Sequence, residues 1–119
     1  MAQATTLILL PQVSFNAQGV VNGIYTGTRQ PAASFYLGNK DLQTLSWNVT
    51  SVTGTVTLQA SLLDEPSDLV TGDWVNIATF AFNNTTTSSF QNINGNFVWL
   101  RARVTGFTQG VIQNFKVSY

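Results

Sequence analysis

Gly95–Tyr119, GNFVWLRARVTGFTQGVIQNFKVSY, decides the fold class. Val98, Leu100, Ala102 and Val104 alternate onto one face, and Phe97, Trp99, Arg101 and Arg103 onto the other. The period of two predicts a strand on each side of a Gly-rich turn, with Phe115, Val117 and Tyr119 continuing the inner row. An apolar inner row is expected of any half-buried strand. Two aromatics and two arginines on the outer row exceed what a solvated face needs, and they read as a contact surface.

Upstream, the same period recurs. Leu45, Trp47 and Val49 alternate with Thr44, Ser46, Asn48 and Thr50; Val56, Leu58, Ala60 and Leu62 alternate with Thr55, Thr57, Gln59 and Ser61. With a turn near Thr53-Gly54 the two runs predict a hairpin. Thr6–Leu10 reads as a first strand stopped by Pro11, Ala33–Leu37 as a short strand before the turn Gly38–Asp41, and Asp73–Phe82 as another strand. The tract Asn83–Ser89, NNTTTSS, reads as a polar turn and edge strand, with Phe90 and Ile93 returning to the core. Between Phe15 and Pro31, glycines 19, 23 and 27 space out Val20, Val21, Ile24 and Tyr25, predicting a long loop or irregular hairpin with apolar side chains. No window carries an amphipathic helix. These readings give an all-β chain: one antiparallel β-sandwich or jelly roll of roughly eight strands over 1–119, with 1–32 an assembly arm and loop.

Composition narrows the function. The 119 residues contain no His and no Cys, which removes the commonest general base, the usual hydrolase triads, disulfides and thiolate metal sites. No catalytic residue, cofactor or metal is expected. Only 8% of residues are charged, and five basic against five acidic residues give zero net charge. Such a chain lacks the basic footprint of nucleic-acid binding and has little long-range repulsion between copies, so homo-oligomers are expected. Leu7–Leu10 has no preceding basic residue and is too short for a signal core or a membrane span, so neither an export signal nor a membrane partner is expected.

Asp64, Glu65, Asp68 and Asp73 cluster on a loop, but their spacing matches no calcium site, and Pro66 stiffens the segment. A solvated loop is expected. Glycosidase chemistry needs two carboxylates across a cleft, and these share one loop. Trp47 reads as core and Trp74 as a rim residue, whereas Trp99 reads as exposed. With Phe97, Arg101 and Arg103, Trp99 suits a protein anchor or a sugar-stacking platform, and the bland alternative is Arg stems lying over the indole. The Asn-x-Thr patterns at Asn48, Asn83 and Asn84 are chance products of an Asn- and Thr-rich chain.

The series LQTLSWNVTSVTGTVTLQASL, a Pro-containing loop into DWVNIATF, and GNFVWLRARVTGFTQGVIQNFKVSY resembles small virion structural proteins of tailed bacteriophages. The positions that carry the likeness are Leu58–Leu62, Asp73–Ile77, Gly95–Phe97, Leu100, Arg101, Val104, Phe107, Gly110, Ile112, Val117 and Tyr119. They cover roughly the last two thirds of the chain. The resemblance implies a non-enzymatic β-sandwich used as an assembly part: a capsid decoration or cement protein bound to major capsid protein, or a neck, tail or fibre component. It implies residence in the virion. A carbohydrate-binding, lectin-like module is the alternative from another class. The expected protein contacts are Phe97, Trp99, Arg101 and Arg103, with Leu7, Ile8, Leu9 and Leu10 and the loop residues Val20, Val21, Ile24 and Tyr25 as arms that add to a neighbour's sheet.

Overall fold

A computed structural model describes residues 6–32, 42–63, 65–67, 71–95 and 97–119. Every strand pairs antiparallel in one seven-stranded sheet. Three strands are 20 residues long: β5 (Leu42–Ser61), β6 (Val75–Asn94) and β7 (Trp99–Ser118). β5 lies between β6 and β7. The other side of β7 takes β1 (Thr6–Leu10), β2 (Val13–Ser14), β3 (Tyr25–Thr26) and β4 (Gln30–Pro31). A 3-10 turn, Thr71–Asp73, precedes β6. Among the described residues β6 therefore forms one edge of the sheet.

A straight 20-residue strand would run about 66 Å. The longest dimension of the molecule is 39 Å, so the long strands must bend. Each does so at mid-length, where left-handed residues line up: Ser51 in β5, Asn84 in β6, Gly106 and Gly110 in β7. Register shifts fall at the same level, between Val49 and Gly54 against β6 and between Thr50 and Thr55 against β7. Bulges take backbone amides out of the ladder, and these amides need other acceptors. Neighbouring polar side chains supply them: Ser51 N–H donates to Thr86 Oγ1 and Asn84 N–H to Thr53 Oγ1, while Gln109 Nε2 donates to Asn84 Oδ1. The polar tract thus serves as the lining of a bend.

Beyond the bend the sheet doubles over on its apolar face. Trp47 and Phe115 are cross-strand neighbours in one limb, and Phe80 and Phe82 belong to the other. Their rings meet: Trp47 lies 4.6 Å from Phe80, and Phe115 lies 6.4 and 6.5 Å from Phe80 and Phe82. Val49, Val52, Val56, Leu58, Leu100, Ala102, Val104, Phe107 and Ile112 fill the core around them. Gly27 marks a second meeting of the limbs, since a Cβ there would stand 2.1 Å from the Leu9 carbonyl oxygen of β1. The Trp47 indole N–H is buried without a partner among the described residues. Leaving such a donor unsatisfied costs about 1–3 kcal/mol. Trp47→Phe is therefore expected to leave the urea midpoint unchanged or raised, and a loss above about 2 kcal/mol would mean that the indole shape, not its N–H, dominates there.

Several sequence expectations need correction. Residues 45–62 and 97–119 do not form hairpins. Each run lies almost wholly in one continuous strand, because on both sides of each break it pairs with the same neighbouring long strands and not back on itself. Among the described residues there are seven strands, four of them long or moderate and three of two residues, and the long ones do not follow hairpin spacing. Asn83–Ser89 is strand throughout, and Phe90 and Leu62 face solvent rather than the core. The segment 15–31 is an irregular excursion. Asn22 and Gly23, both with positive φ, make its tip between the bridged Val21 and Ile24, and the Gly23 carbonyl accepts from Phe107 N–H to seat it on the bend. The strand expected at 33–37 and the turn at 38–41 lie outside the described residues.

Candidate functional site

The outer row of β7 is distributed over several environments. Arg101 is only 5% exposed, with its guanidinium carbon 4.3 Å above the Trp74 ring and its Nε donating to Gln59 Oε1 at 2.7 Å. Trp74 is equally buried, and its indole N–H donates to the Ser67 carbonyl. Ser67 N–H in turn donates to Asp73 Oδ2 at 2.8 Å, and the Arg29 guanidinium donates to the Pro66 carbonyl. Residues 65–67 thus lie over this part of the sheet. Arg29 also stacks 4.8 Å from the Trp99 centroid. Arg101 is therefore interior, contrary to its expected place on an open face, because the chain between β5 and β6 returns to cover it. Trp74 is likewise no rim residue. Trp74 is buried and Trp99 lies under the Arg29 guanidinium, so these indoles do not form an open platform. Phe97 is half-buried against the core, and Arg103 is half-buried opposite Thr26 and Thr57.

Arg101→Lys keeps the charge but loses the planar stack and the Nε donor. A loss of about 1–2 kcal/mol in thermal or urea unfolding is expected, whereas an unchanged midpoint would show that the stack contributes nothing.

Residues in the first third divide in the same way. β1 pairs with β7 of its own chain, placing Leu9 and Leu10 in the core and Leu7 half-buried against it. Only Ile8 of that set is exposed. In the excursion Val20 and Tyr25 pack against the core, while Val21 and Ile24 are exposed. Residues 1–5 lie outside the described residues. Of the acidic loop, Glu65 is exposed and Asp73 partly so; Asp64 and Asp68 are outside the described residues. Among the described residues no three potential metal ligands come together. No helix there is long and apolar enough to cross a membrane.

A different surface stands out. At the end where β5 leaves and β6 enters the sheet, Ala60, Leu62, Leu63, Val75, Ile77 and Phe97 line a pocket of about 330 Å³ with Asp73 at its wall. Leu62 is 70% exposed, and Leu63 and Val75 are exposed beside it. The pocket opens next to β6, the edge that is unpaired among the described residues. Phe90, 71% exposed, stands further along the same strand. Sequence reading missed Leu62 by extending the inner row one residue past Ala60, and missed Phe90 by ending the strand too early. The available signal was its spacing from the buried Ile93, since residues three apart on one strand point to opposite faces. No protein-family model matches the chain, and a search of the curated proteins finds no match either.

Proposed function

We propose that this chain is a non-enzymatic virion structural protein of a tailed bacteriophage, a decoration or cement protein that strengthens the head by binding major capsid protein. The observation that carries the reading is the 20-residue edge strand β6, which no strand among the described residues pairs on its outer side and which is flanked by the apolar pocket and the exposed Leu62, Leu63 and Val75. Long open edges invite another chain, and soluble proteins usually blunt them with Lys, Pro or a covering loop. β6 contains none of the charged or Pro residues that would do so. Zero net charge and the phage-like strand pattern fit the same role, and many repeated contacts allow each to be weak. In this reading the doubled sheet acts as a two-layer sandwich, its apolar interior closed and its edge reserved for assembly.

A neck, tail or fibre location uses the same surfaces in fewer copies. Counting the protein in purified particles by quantitative mass spectrometry separates these cases. Hundreds of copies per particle support shell decoration, a dozen or fewer move the protein to the neck, tail or fibres, and none removes the virion reading.

A further inference from the structure

Phe90 lies on the outer face of its limb in a cross-strand row, Phe90–Ser46–Lys116. Two strand spacings put Phe90 and Lys116 about 10 Å apart. Lys116 makes no ion pair among the described residues. Ile8, exposed, pairs with Lys116 and ends the row, which therefore presents one protruding ring and one cation between uncharged neighbours. The pocket at the opposite limb presents the reverse: an apolar hollow lined by Leu62, Leu63, Val75, Ile77 and Phe97, with the Asp73 carboxylate held at its wall by Ser67 N–H. Its volume of about 330 Å³ is at the low end for ligand sites and ample for one aromatic side chain.

We propose that copies of this chain associate head to tail, Phe90 of one entering the pocket of the next while Lys116 faces Asp73. This rests on the reading of the chain as an assembly part and assigns the surfaces that do it. Both halves belong to one molecule but to different places on it, so the contact is heterologous and propagates to a ring or an open row. Zero net charge leaves no overall repulsion to oppose it.

The test uses two variants that each destroy one half, Phe90→Asp and Leu62→Asp, both at exposed positions so that folding, checked by circular dichroism, is unaffected. Wild-type protein is expected to grow in mass with concentration by light scattering. Each variant alone should need a roughly thirtyfold or higher concentration to associate. Mixed in equal amounts, they should give a heterodimer and nothing larger, because one intact ring donor meets one intact pocket and both remaining halves are dead. A mixture that stays monomeric overturns the proposal, as does wild-type protein that remains monomeric. Undiminished oligomers of Phe90→Asp overturn it too while leaving the assembly reading intact; loss of that reading would instead show as absence from purified particles.

Discussion

Gly110→Ala should abolish cooperative folding at ordinary temperature or lower stability by at least about 4 kcal/mol, a range that takes a cause such as backbone conflict. Gly110 holds a φ of 88° at the bend of β7, which alone costs an L-residue about 1–2 kcal/mol. A Cβ there would also stand 2.3 Å from the Ser51 carbonyl oxygen and 2.6 Å from that of Thr50, both backbone atoms of the adjoining strand. Neither can retreat without opening the bend in β5. Gly106 is the internal control. It too is left-handed, at 61°, but a Cβ would meet nothing within 4 Å, so Gly106→Ala should lose only the local strain. Urea unfolding of the two variants side by side measures the difference. Equal losses would mean that the strands are not held together at the bend.

Phe115→Ala should cost about 3–5 kcal/mol, because it empties the place where the two limbs meet. Phe115 is fully buried and stacks on Trp47 at 5.8 Å within its own limb. Its other ring neighbours, Phe80 and Phe82, come from the opposite limb. Deleting one ring therefore removes both aromatic contact area and the fit between layers. Phe90→Ala, on the same sheet but 71% exposed, should change monomer stability by no more than about 0.5 kcal/mol. The pair separates core aromatics from surface ones by chemical denaturation alone.

Residue alternation made the inner rows readable. Leu45 and Val49, Val56, Leu58 and Ala60, and Leu100, Ala102 and Val104 all point inward as the period of two requires. The mid-strand breaks were not readable for what they are. Gly, Asn and Thr announce a change of backbone direction, but a hairpin turn and an aligned row of bulges use the same residues. Pairing partners far along the chain choose between them: Ser51 N–H finds Thr86, and Asn84 N–H finds Thr53. Arg101 failed for a similar reason. A charge in a strand reads as outward and wet, and nothing local says that Trp74 and residues 65–67 will return to cover it. The pocket escaped because Leu62 continues an apolar alternation past the point where its strand leaves the sheet. Edges and strand ends are where a period of two stops reporting burial.

Heat resistance of the head offers the sharpest test of a cementing role. Heads purified without this protein should release DNA at a lower temperature than complete heads, and adding back the purified chain should restore the higher value in proportion to the copies bound. Identical release temperatures with and without the bound protein would contradict the account.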